Sequence, residues 1–261
     1  MLDIKFEIDK DNLARIIIST SQMSVMYANY LWDKYRSSYQ QLQRDVLSNK
    51  IDENILKELQ SQAFFKKYYS EAKDNLKRVE KNWKENKDKI NKFLKDILRC
   101  ETNLKMTAYI CSPNMKIGKN IKNNCFVWGH VYGLTDANYD LVYLVHESLH
   151  SHFERDNLTH AIIENITDVE LAKYLNNSKS GYAYHDFTQD IHVRIYPFWN
   201  LYLNRSIEES KEDIKITHIE YDVKKYENYR ETLSKMNIDE LVEFLRDNVD
   251  NVRYDTFYKI K

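Results

Sequence analysis

Turns are scarce in this chain. Only four glycines and two prolines interrupt 261 residues, and those are the residue types that strand-to-strand turns need most. A sheet-rich fold is therefore disfavoured, and the expected class is α+β, predominantly helical, with one small sheet. Hydrophobic residues make up 43% of the chain, enough for a sizeable core in one large domain or two small ones.

Periodicity divides the sequence further. Leu2, Ile4, Phe6 and Ile8 alternate with polar residues and predict a strand. Helices are expected from about residue 10 to 19, 21 to 49, 53 to 61 behind Asp52, and 65 to 98, with Ser70 as a candidate break. Beyond Cys100 the texture changes. Leu104–Cys111 and Cys125–Tyr132 read as strands, and Asn176–Gly181 as a loop. A helix at 187–204 contains Pro197, and the charged stretch 208–261 reads as helical, with Asn237 capping IDELVEFL. A soft boundary near residue 100 separates a mainly helical 1–100 from 101–261.

The chemistry concentrates in LVYLVHESLHSHFERDNLTHAIIENITD, residues 141–168. Val142, Val145, Leu149 and Phe153 mark a helix that Asp136 or Asn138 can cap. His146 and His150 are four apart, so a helix presents both imidazoles on one side to one ion, with Glu147 beside it as a general base. Asp156 or Asn157 can cap a second helix. In a helical hairpin, His150 lies about 6 Å before the turn and Glu164 roughly 10 Å after it, at about 1.5 Å per residue. Glu164 can then reach the same ion, and Asp168, four residues further on, falls level with His146 and can fix its tautomer. His160 lies four before Glu164 on the same face and is an alternative ligand.

H-E-x-x-H followed by E-x-x-[ST]-D, here Glu164-Asn165-Ile166-Thr167-Asp168, resembles the gluzincin zinc metallopeptidases, the thermolysin-like superfamily, across residues 141–168. The segment between His150 and Glu164 is shorter than in the best-known members. The resemblance implies one Zn²⁺ per chain on His146, His150 and Glu164, Glu147 as general base and Asp168 orienting His146. It also implies a zincin-like core in 101–261, with an edge strand ahead of the metal helix that pairs with substrate. The strand at 125–132 is the candidate, with Trp128 and His130 as substrate contacts. An oxyanion donor is expected after the third ligand, from Tyr184 or His185 first and His192 second, and Tyr182 lies in the same stretch. Arg194 can hold a substrate carboxylate.

The expected function is peptide or amide hydrolysis by a specialised zinc peptidase acting on a peptide or protein. Two readings compete. The same two-His, one-carboxylate set serves non-haem Fe(II) oxygenases, which have no need of Glu147. A non-catalytic binding protein would not need Glu147 either. A net charge of −1 gives no bulk attraction for nucleic acid. No signal peptide or membrane-length apolar run is visible, so a cytoplasmic location without a membrane partner is expected. Cys100, Cys111 and Cys125 are too few for a disulfide framework and are expected to be buried structural thiols.

Overall fold

A computed structural model describes residues 1–20, 25–48, 50–122, 124–183, 185–207, 219–252 and 258–260. The fold is predominantly helical, with a four-stranded mixed sheet and a two-stranded one. The chain forms two compact units. One, here the sheet unit, comprises Asp3–Glu85 and Lys105–Glu147; the other, the helical unit, comprises Met1–Leu2, Asn86–Leu104 and Ser148–Lys261.

Strands β1 (Leu2–Glu7), β2 (Leu104–Ile110), β3 (Ile117–Lys122) and β4 (Cys125–Gly129) form the larger sheet in the order β1-β2-β4-β3. β2 and β4 run parallel, with Ala108 opposite Phe126; β3 runs antiparallel to β4, with Gly118 opposite Trp128. In the sequence Gly118 reads as a loop signal, and IGKNIK carries only two apolar residues in a lysine-rich stretch, yet the segment is strand β3. The strand expected at 125–132 ends at Gly129, and Val131–Leu134 forms a 3-10 turn.

One face of this sheet carries helices α1 (Lys10–Thr20), α2 (Val25–Tyr35), α3 (Tyr39–Leu47), α4 (Glu53–Ser61) and the start of α5 (Ala63–Leu98). Leu13, Ile17, Leu31, Leu42, Leu56 and Phe65 pack there against Met115, Ile117 and Val127. Asp52 caps α4 by accepting from the Asn54 N–H. Ser70 does not break α5, a single helix of 36 residues; serine is tolerated where neighbours such as Phe65 and Ala72 are buried. The expected helix at 21–49 is instead α2 and α3 joined by a turn, with residues 21–24 and 49 outside the described set.

On the sheet's other side lies α6 (Ala137–Leu149). The side chains of a strand alternate, so Val127 faces the first helices while Trp128 faces α6. The Trp128 indole N–H donates to Asp140 at 2.8 Å and its ring stacks on Tyr143. Arg78 of α5 donates to the same Asp140 carboxylate and to the Gly133 carbonyl.

The helical unit contains α7 (Asn157–Glu164), a π-helical segment Asn165–Leu171, α8 (Ala172–Asn176), α9 (Gln189–Tyr202), α10 (Val223–Glu227), α11 (Arg230–Leu233) and α12 (Ile238–Asn248). Pro197 lies inside α9. Phe198 of α9 meets Tyr226, Tyr229 and Phe244 edge-on. Asn237 caps α12 as expected, in a reciprocal box with Glu240. The short strands β5 (Ile219–Tyr221) and β6 (Tyr258–Ile260) pair antiparallel inside the stretch read as wholly helical. Among the described residues no helix is long and apolar enough to cross a membrane.

Candidate metal and hydrolytic site

Asp136 opens α6, its carboxylate accepting from the Asn138 and Tyr139 N–H groups at 3.0 and 3.3 Å. His146 and Glu147 lie in the last turn of this helix, and His150 follows it directly. The helical conformation puts the two imidazoles one turn apart on one side, as the H-E-x-x-H spacing requires. Both His146 and Glu147 are buried.

Within the sheet unit, β3 passes beside Glu147. A Cβ built on Gly118 would stand 3.4 Å from Glu147 Oε1 and 2.8 Å from the Trp128 ring. Only glycine lets the strand come this close. Asn120 Nδ2 also donates to the Glu147 carbonyl at 3.4 Å. β3 is an edge of the sheet, whereas β4 is flanked by β2 and β3. The expected substrate-pairing edge at 125–132 is therefore corrected: the edge strand near Glu147 is β3.

Of the two contacts expected on that strand, Trp128 serves the protein interior, whereas His130 is partly exposed. Trp128 is 1% exposed and bonded to Asp140, so its ring has no face left for a substrate. His130 caps the following turn, Nδ1 accepting from the Tyr132 N–H at 3.3 Å. Burial pushes its pKa down; nearby Lys116 adds to the shift and Asp140 opposes it. It belongs to a run of rings, from Tyr132 through Tyr139 and Tyr143 to His146, with neighbouring centroids 4.5–5.7 Å apart.

In the helical unit, Asp156 caps α7 and accepts from the Thr159 N–H at 2.7 Å. That helix places His160 against His150, with ring centroids 4.9 Å apart. Glu164, one turn on, has no solvent exposure, and four donors converge on it. The His185 N–H and Nδ1 reach Oε1 at 2.7 and 2.6 Å, and Thr188 Oγ1 and His192 Nε2 reach Oε2 at 2.6 and 2.8 Å. Burial alone would raise the Glu164 carboxyl. The bonds from His185, His192 and Thr188 overcome it and hold the group well below the usual carboxylate range. Ligand atoms of His160, Glu164 and His185 all lie within 4.8 Å of one another.

His185 and His192, expected as oxyanion donors, both bond Glu164, and the His185 side chain remains 49% exposed. His192 is 2% exposed, and its Nε2 is taken up by the Glu164 carboxylate. Tyr182 donates its backbone N–H to the Asp168 carbonyl at 2.6 Å. Tyr184 lies outside the described residues. Arg194 pairs with Asp190 at 2.6 Å and with Asp250 at 3.3 Å, which occupies the guanidinium expected to hold a substrate carboxylate.

Asp168 is 1% exposed and accepts from the Thr167 hydroxyl at 3.0 Å. It lies in the π-helical segment, not in an α-helix. The four-residue level count from Glu164 to Asp168 therefore does not hold, because i→i+5 bonding widens the turn. Thr188 was not singled out from the sequence. Only its place four residues before His192, on the approach to α9, hints at a shared partner.

The donor set suits a borderline cation: imidazole nitrogens and an ionised carboxylate are ordinary zinc ligands. Comparison with protein families, characterised proteins and solved structures gives no match for this chain.

Proposed function

We propose that the protein is a single-zinc metallohydrolase that cleaves a peptide or amide bond, with a gluzincin-like arrangement on a zincin-like core. The observation that carries this reading is the helical H-E-x-x-H whose Glu147 carboxylate lies beside Gly118 on the edge strand β3. His146 and His150 hold the ion, and the third ligand comes from Glu164 or His160. Zinc, when bound, polarises a carbonyl and lowers the pKa of its water to about 7.

The chain supplies the rest. Glu147 takes the proton from the attacking water and passes it to the leaving amine. The edge strand β3 aligns an extended peptide by main-chain hydrogen bonds. His185, His192 and Thr188 fix Glu164 in its anionic form and so set its direction. A cytoplasmic setting and a peptide or protein substrate belong to the same proposal.

Elemental analysis of the protein purified without a metal-affinity tag, combined with a peptide-library cleavage screen, tests it. The expected result is zinc that His146→Ala lowers by about one ion per chain, and cleavage that Glu147→Gln abolishes while zinc stays. Cleavage by Glu147→Gln at the wild-type rate would sink the general-base role. Iron in place of zinc would favour the oxygenase reading. Glu164→Ala and His160→Ala identify the third ligand: the true ligand's loss weakens metal binding far more than the other's.

A further inference from the structure

We propose that Cys100, His152 and Asp239 form a second metal-binding site, suited to Zn²⁺ and separate from the H-E-x-x-H residues. Their ligand atoms, a thiol sulfur, an imidazole nitrogen and a carboxylate oxygen, all lie within 4.8 Å of one another. All three belong to the helical unit, yet they come from distant stretches: just beyond α5, the turn after α6, and the first turn of α12.

The chemistry selects the ion. Sulfur with imidazole and a single carboxylate is a borderline-soft set, favouring zinc over magnesium or calcium. A thiolate, a carboxylate and a neutral imidazole carry two negative charges, which a divalent cation neutralises. Three protein ligands leave the fourth tetrahedral position to water. Access is open, since Cys100 and His152 are partly exposed and the Asp239 side chain is 60% exposed.

The positions are also held in place. Arg99 adopts a left-handed conformation, φ 53°, that turns the chain out of α5 at Cys100. Its guanidinium donates to the Ser234, Met236 and Tyr202 carbonyls at 2.7, 3.2 and 2.6 Å, fastening this turn to the loop that leads into α12. Asn237 then fixes the first turn of α12 by accepting from the Asp239 and Glu240 N–H groups. His152 Nε2 already stands 3.1 Å from Asp239 Oδ1. An exposed His–Asp pair alone is commonplace; a thiol brought to it by a separately anchored turn is what makes a ligand set.

The full-length protein, loaded with Co²⁺ in place of zinc, gives the test. A thiolate-to-cobalt charge-transfer band in the near ultraviolet is expected, present in His146→Ala and absent in Cys100→Ser. Zinc content should be about two per chain in the wild type and about one in either variant. If Cys100→Ser fails to fold, alkylation of the wild type serves instead: zinc should slow iodoacetamide labelling at Cys100 about tenfold or more, by peptide mapping, because coordination occupies the nucleophilic sulfur. His152→Gln should remove that protection. A cobalt-loaded wild type without the thiolate band, or zinc that leaves Cys100 labelling unchanged, overturns the proposal. A thiolate band in a protein whose zinc content does not change in His146→Ala would uphold this site and count against the hydrolase reading alone.

Discussion

Glu164 has no solvent exposure, yet folding favours its charged form, because His185, His192 and Thr188 all donate to it. A carboxyl whose pKa is lowered by folding contributes stability above its unfolded value, and that contribution is lost as pH falls through the folded value. In metal-free protein, Glu164→Gln should therefore flatten the acid limb of the stability–pH curve. It should cost about 1–3 kcal/mol near neutral pH, where the histidines lose a charged acceptor. Urea unfolding across a pH series reads both effects; an unchanged acid limb would mean that the carboxylate does not carry the acid sensitivity. Cys111 offers a second check. Burial pushes its thiol up to about 12, and the Trp128 backbone N–H only partly offsets this. Iodoacetamide at neutral pH should leave Cys111 unmodified until the protein is denatured, as peptide mapping would show.

At the scale of the element, glycine positions set how closely segments approach. A Cβ on Gly181 would collide with the Asp168 carbonyl and lie 2.6 Å from Val169 Cα. The Tyr182 N–H bonds that same carbonyl, so the short strand of chain Gly181-Tyr182 rests on the backbone of the π-helical segment. Gly181→Ala should push this strand away and loosen the His185 grip on Glu164. The expected cost is about 1–3 kcal/mol, as for overpacking elsewhere; thermal unfolding and the histidine signals in NMR would report it. Retention of both would show that the loop can shift freely. Gly133 is constrained more severely, since a Cβ there would run into the Asp140 carboxylate that Arg78 and Trp128 share.

For the molecule as a whole, the sequence exposed most helices and the helical setting of H-E-x-x-H, because periodic apolar residues and good caps are local signals. Asp52, Asp136, Asp156 and Asn237 were each readable as caps and each caps its helix. What stayed hidden depends on neighbours distant in the chain. β3 is a strand because β4 pairs with it, not because IGKNIK alternates. The π-helical turn Asn165–Leu171 is buried at every residue, and no local propensity announces it. The partners of Glu164 lie 21 to 28 residues away, beyond any local pattern. If the metal proposal holds, the whole molecule should respond to metal removal. At a thousandfold excess over its dissociation constant, zinc adds about 4 kcal/mol to folding stability. A chelator should thus lower the melting temperature by several degrees, and an unshifted transition would count against tight binding to the folded state.

The way the chain divides between its two units has a consequence for biosynthesis. The sheet unit is complete only when Glu147 has been made, and the helical unit needs Asn86–Leu104 together with residues from Ser148 onward. On the ribosome, the helices of the first 85 residues must wait for β2, β3 and β4 before their shared core can close. Translation therefore reaches His146 and Glu147 at the end of one compact unit, and His150, His160 and Glu164 only within the next. No nascent chain that stops short of His160 holds three of the proposed ligands, so metal capture would wait until the residues beyond α6 have been made.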